Sequence, residues 1–222
     1  MNEKMKEVLH QILLRTPHNL FDEFLSECQK WYEQPAHTLT EMRTRNNKKI
    51  RGDIFEEFCV LYLKFVKKYE TVWRLEDVPD EVLDKLTLKR QDFGIDIICQ
   101  HQGKFIAVQC KYKKHVSLKK NVLTWKQLST FYALCMRSGP YEKYIVMTTC
   151  DYTRHMGKKT PKDISLCLKT FQNITKEEWV AMCQLEGNTA NPEQIIARTP
   201  EELRAARLKF YDIKNIQNDA QS

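Results

Sequence analysis

Two apolar runs separated by a single turn, GIDIICQ (94–100) and FIAVQCKY (105–112), constrain this chain more than any other feature. Both are short and rich in β-branched residues. The intervening His101-Gln102-Gly103-Lys104 carries the glycine that a tight reversal needs, so the pair reads as an antiparallel hairpin. A symmetric turn pairs Gln100 with Phe105. Carried down the ladder, that register sets Asp96 opposite Gln109 and Gly94 opposite Lys111. Alternation then sends Asp96, Gln109 and Lys111 to one face, with opposed Cβ atoms about 4.5–5.5 Å apart. Gly94, lacking a side chain, leaves room for Lys111. Ile95, Ile97, Ile106, Ala107 and Val108 make both strands largely apolar, as in a sheet covered on both sides. Polar groups on a covered face cost energy unless they are paired or bind metal.

The remaining pattern supplies helices and further strands. Residues 2–15 and 20–33 read as short amphipathic helices. The segment 52–68, GDIFEEFCVLYLKFVKK, reads as a long one with a wide apolar arc. Glu57 falls on its water side and Glu56 at the edge of the arc, facing whatever the helix packs on. An acidic stretch, 76–84, is a loop or short helix. Residues 124–137 form a helix, while 143–149 and 164–170 form buried strands. Thr175 with Glu178 is a capping box for a helix over 176–184, and Thr199-Pro200-Glu201-Glu202 opens another that reaches about Tyr211. This order implies an α/β domain with helices on both sides of a mixed sheet.

The hairpin polar set suits metal chemistry. A carboxylate and an amide oxygen are hard ligands of the kind Mg²⁺ takes at about 2.0–2.1 Å while keeping several waters. A lysine beside them would orient or deprotonate a water and neutralise charge building on a phosphate. Glu56 is the candidate for a further carboxylate, with Glu57 as its substitute. Asp92 assists there or caps the turn before the strand.

These residues carry a resemblance. Gly52, Phe55 and Glu56 (GxxFE), then Gly94-Ile95-Asp96 (GID), then Gln109, Cys110 and Lys111 (QxK), are similar to the motifs of the PD-(D/E)xK nuclease superfamily, in its Mrr-type restriction endonuclease branch. YIVMTTCDYT (144–153) resembles the strand and turn that follow the catalytic hairpin there. The resemblance spans about 51–170. It implies a restriction-endonuclease-like mixed β-sheet flanked by helices, with an N-terminal helical extension. It makes Glu56, Asp96, Gln109 and Lys111 catalytic, with Asp96, Gln109 and Glu56 as ligands of Mg²⁺, for which Mn²⁺ substitutes. The implied reaction is endonucleolytic hydrolysis of DNA phosphodiesters to a 5′-phosphate and a 3′-hydroxyl, in restriction or in recombination and repair. Two departures stand out: Phe93-Gly94-Ile95 precedes the acid where the superfamily has proline, and Gln109 is neutral.

The charge agrees with a polyanionic partner. Lys and Arg total 36 against 29 acids, a net charge of +7. Arg43, Arg45, Lys48, Lys49 and Arg51 lead into the long helix. Lys113, Lys114, His115, Lys119 and Lys120 follow the second strand. DNA-binding is thus assigned to Lys48, Lys49, Arg51, Lys113, Lys114, Lys119 and Lys120, with His155, Lys158 and Lys159 a weaker set. DNA is the expected partner, beside a homodimer and a helicase motor fused to or associated with the chain; nothing resembles a Walker A loop. No apolar run approaches the ~18 residues of a membrane span. The eight cysteines lack CxxC spacing and read as thiols of a cytoplasmic protein. The expected layout is a helical extension (1–45), a catalytic domain (46–185), and a C-terminal helix with a polar tail (186–222). The competing reading is an inert DNA-binding module of the same fold.

Overall fold

Gln102 and Gly103 both take positive φ, 51° and 70°, the backbone twist that a two-residue hairpin turn requires. They join β2 (Ile97–His101) to β3 (Lys104–Lys111) in the expected register, with Gln100 opposite Phe105 and Ile97 opposite Val108. The computed structural model describes residues 3–15, 18–32, 47–91, 94–114, 120–154 and 160–183. The C-terminal helix expected up to Tyr211 lies outside these residues, as do Arg43, Arg45, Asp92, His115, Lys119, His155, Lys158 and Lys159. Among the described residues, no helix is long and apolar enough to cross a membrane.

The hairpin is the centre of a mixed sheet ordered β1-β2-β3-β5-β7. β1 (Thr71–Arg74) runs antiparallel to β2, while β5 (Lys143–Thr148) and β7 (Asp163–Leu166) extend β3 in parallel. β1 escapes the sequence reading because its four residues are all half-buried and show no alternation. A separate parallel pair joins β4 (Val122–Thr124) to β6 (Tyr152–Arg154). The strand expected over 164–170 stops at Leu166. From Leu168 to Gln172 the chain turns into a short helix, whose Leu168 and Phe171, one turn apart, are both buried.

Helices cover both faces. We label them α1 (Glu3–Arg15), α2 (Leu20–Tyr32), α3 (Asn47–Leu61), α4 (Asp80–Leu86), α5 (Trp125–Arg137), α6 (Leu168–Gln172) and α7 (Lys176–Cys183). α3 begins five residues before its apolar arc and ends in a π-helical turn, Tyr62–Val66. The capping box of α7 is made as expected, Thr175 N–H donating to Glu178 Oε2 and Glu178 N–H to Thr175 Oγ1. On one face of the sheet, Ile98, Ala107 and Val146 pack with Leu128, Phe131 and Cys135 of α5. On the other, Phe55 and Phe58 of α3 join an aromatic cluster.

That cluster absorbs the N-terminal helices. Phe21 and Phe24 of α2 lie 5.1 and 4.8 Å, centroid to centroid, from Phe58. Phe171 and Trp179 complete the group, and the Trp179 indole N–H donates to the Leu9 carbonyl of α1 at 3.0 Å. Residues Met1–Met182 form one compact unit. Cys28, Cys59, Cys99, Cys135 and Cys150 are buried thiols.

Gly94 holds the hairpin against α5. Its φ is +133°, and a Cβ there would meet the Phe131 backbone nitrogen at 3.1 Å and its Cα at 3.2 Å. The sequence reading gave the space of this missing side chain to Lys111; the structure gives it to the backbone of α5. Gly94→Ala should therefore lower unfolding stability by about 1–3 kcal/mol, read as a reduced denaturant midpoint. An unchanged midpoint would show that α5 does not seat against this glycine.

Candidate active site

The regular ladder ends one residue before the acid. Ile97 pairs with Val108, yet the Asp96 N–H also donates to the Val108 carbonyl, at 2.9 Å. Two residues of one strand thus oppose a single residue of the other, which is a β-bulge. The apolar cluster under α5 confirms the slip. Ile95 and Ile98, three positions apart, both belong to it, and strict alternation forbids that. Asp96 is therefore not opposite Gln109, and the expectation that Asp96, Gln109 and Lys111 share one face is corrected. The bulge turns Asp96 with Ile97 toward α3. Gln109 lies beside Val146 and two residues after Ala107, both in the α5 cluster, so it emerges on that side.

The bulge gives Asp96 a new partner. Its Oδ2 accepts the Cys110 backbone N–H at 2.6 Å. The carboxylate is largely desolvated, which raises its pKa; the Cys110 N–H and the nearby Lys111 ammonium oppose the rise. Glu56 of α3 lies in the same field. Burial first, then the Asp96 charge, push it from an ordinary 4.5 to about 7, against the pull of Arg74. Behind this pair, the thiols of Cys59 and Cys110 hydrogen-bond to each other. α3 and β3 are thus in direct contact where the two acids meet.

The structure therefore brings Glu56, Asp96 and Lys111 together, at the end of the hairpin where β2 begins and β3 finishes. Gln109 is 2% exposed, and its Oε1 is buried with no hydrogen-bond partner. Such an atom carries a desolvation cost that a cation or a water would relieve. Among the described residues, no group of three or more His, Cys, Asp or Glu could hold a metal. A cation on the α3 side would rest on the two carboxylates and water. All are hard oxygen donors, and that fits Mg²⁺ or Mn²⁺.

Glu57 departs from its expected place in water. Its side chain is 14% exposed, less than the 25% of Glu56, and it lies 3.9 Å from Arg74. Arg74, at the end of β1, is also 3.9 Å from Glu56 and 3.7 Å from Glu76. It is a charged neighbour of the candidate acids that the sequence reading lacks, because β1 shows no alternation. Thr148 and Thr149 were noticed only as part of a resemblance. The Thr148 hydroxyl donates to the Lys111 carbonyl at 2.8 Å, and Thr149 bonds both the N–H and the carbonyl of Lys113. Two threonines closing a buried strand were the available signal.

The assigned basic residues separate by place. Lys114 and Lys120 are exposed beyond the end of β3, and Lys49 is exposed on α3, where Arg51 is half-buried. Lys113 turns inward, its Nζ donating to the Val122 carbonyl at 3.1 Å. The Lys48 side chain and all of Lys119 lie outside the described residues.

The Glu56 shift has a measurable sign. The folded state binds its proton more tightly than the unfolded chain, so the charging penalty is absent below about pH 4.5 and complete above about pH 7. In chelator, the melting temperature of Glu56→Gln minus that of wild type should rise from pH 5 to pH 8. A gap constant across that range would place Glu56 in ordinary solvent.

Neither the curated proteins nor the solved structures contain a match to this chain. A family model described as restriction endonuclease, of the Mrr catalytic type, matches residues 64–182. The matched span contains Asp96, Gln109 and Lys111 but not Glu56, whose placement rests on α3 alone. Since the match covers more than half of the 222 residues, the chain belongs to this restriction endonuclease family and carries its nuclease domain.

Proposed function

We propose that the chain is a metal-dependent DNA endonuclease whose centre is Asp96, Glu56 and Lys111. The observation that carries this reading is the pair of desolvated carboxylates on β2 and α3, both shifted toward the protonated form, with a lysine beside one of them. Two such groups are unfavourable together without a cation. Asp96 and Glu56 would hold the ion, while Gln109, on the α5 side of the sheet, stays outside this ligand pair. When bound, a divalent ion supplies a polarised phosphoryl oxygen and an activated water.

The chain's own residues do the rest. The Cys110 N–H fixes one oxygen of Asp96, leaving the other for a ligand. Lys111, whose charge acts on Asp96, would hold a non-bridging phosphate oxygen and offset the charge that builds during in-line attack. Thr148 fixes the carbonyl of Lys111, which limits the drift of its side chain. Arg74 holds Glu56 from the sheet edge and moderates the repulsion between the acids. The products would be a 5′-phosphate and a 3′-hydroxyl.

The test is cleavage of plasmid and branched oligonucleotides with Mg²⁺ or Mn²⁺. Asp96→Ala and Lys111→Ala should each lower the rate at least about a hundredfold. Gln109→Leu should leave the metal concentration for half-maximal cutting unchanged. Undiminished cutting by the Asp96 and Lys111 variants would reject this centre. DNA binding without cutting by wild type would favour the inert module.

A further inference from the structure

A seam runs from the end of β3 along α2, away from the carboxylates. Two clefts of about 430 and 560 Å³ lie on it and share Asp22, Leu168 and Gln172 as walls. The first is lined by Tyr112, Lys113 and Lys114, the residues directly after Lys111, and by Ser26 and Gln29 of α2. The second continues past Lys120, Tyr152 and Lys169.

Resting on the nuclease reading above, we propose that this seam binds a single DNA strand leading away from the site of cleavage. Its walls combine cationic, aromatic and amide side chains, the set that follows a phosphodiester backbone and stacks bases without reading sequence. The acids on it are engaged. Asp22 accepts from Gln172 Nε2 at 2.8 Å, and Asp151 accepts the Asn121 N–H at 2.6 Å. Lys120, Lys169 and Tyr152 are exposed to a ligand. The seam is also built in advance. Asn19 Nδ2 donates to the Gln172 carbonyl at 2.9 Å, tying α2 to α6 across its floor, and the aromatic cluster fixes α2 from behind. A duplex keeps its bases paired inside two backbones and offers none to stack on Tyr112 or Tyr152. A single strand offers both backbone and bases.

The experiment measures fluorescence anisotropy of a labelled single-stranded oligonucleotide and of a blunt duplex, using the full chain in chelator so that nothing is cut. The Lys120→Glu, Lys169→Glu double variant should weaken single-strand binding about tenfold and flatten its salt dependence, with the duplex changed less than about twofold. Tyr152→Ala should weaken single-strand binding alone. The milder Lys120→Gln, Lys169→Gln pair, with a wild-type melting temperature, guards against a folding defect. Equal losses for both DNAs, or no loss in either, would overturn the proposal. Binding is read apart from cleavage. Strand binding through the seam by a protein that never cuts would sink the nuclease reading only. Cutting by a protein whose seam variants bind normally would sink the seam only.

Discussion

The hydrogen bond from the Cys110 N–H to Asp96 Oδ2 is what the site's geometry depends on. It exists because the β2–β3 ladder slips by one residue at Asp96. Without the slip, the carboxylate would face α5 and its apolar neighbours Ile98 and Ala107. With it, the acid turns toward α3 and finds Glu56. A bulge costs one regular ladder position and leaves a main-chain donor to satisfy. The acid's own oxygen meets that need. The same bond that stabilises the bulge therefore holds the acid, and this single distortion moves a polar group from a covered face to the open end of the sheet.

The supports converge on the same point from several elements. α3 brings Glu56, and its neighbour Cys59 contacts the thiol of Cys110. β1 contributes Arg74, and β5 contributes Thr148, which grips Lys111. Behind α3 stands the aromatic group of Phe21, Phe24, Phe58, Phe171 and Trp179. The N-terminal helices are thus part of what positions Glu56, because α3 cannot shift without disturbing the rings packed on its Phe55 and Phe58. Rigidity of this kind is what a two-carboxylate centre needs, since relaxation would let the acids separate.

Much of this was legible in the residues. The hairpin, its register down to Ile97, the α5 helix and the Thr175 cap follow from alternation, glycine placement and capping chemistry, all of which are local. The failures have a common cause. The bulge at Asp96 leaves no local mark, for GIDIICQ reads as an unbroken strand; the Asp96 N–H bond to the Val108 carbonyl and the packing of Ile95 and Ile98 on one cluster reveal it. β1 has four half-buried residues and hence no periodicity to detect. Residues 167–170 read as strand because apolar runs of this length suit either state, and a tertiary partner, the aromatic cluster that holds Phe171, decided for helix. Glu57 was placed in water by a helical wheel that cannot include Arg74 from a strand it does not know.

The neutral Gln109 is then open to a physical explanation. Glu56 already sits near pH 7 because burial and Asp96 both resist its charge. A carboxylate at 109 would lie on the α5 side, where the native side chain is 2% exposed and its oxygen has no hydrogen-bond partner. Burial there would push it toward protonation, and as an ion it would carry an uncompensated charge beside the apolar cluster. An amide supplies an oxygen without adding charge. The charge that the proposed centre must balance is then confined to the two acids on the α3 side, Glu56 and Asp96, where Arg74 and Lys111 already oppose it.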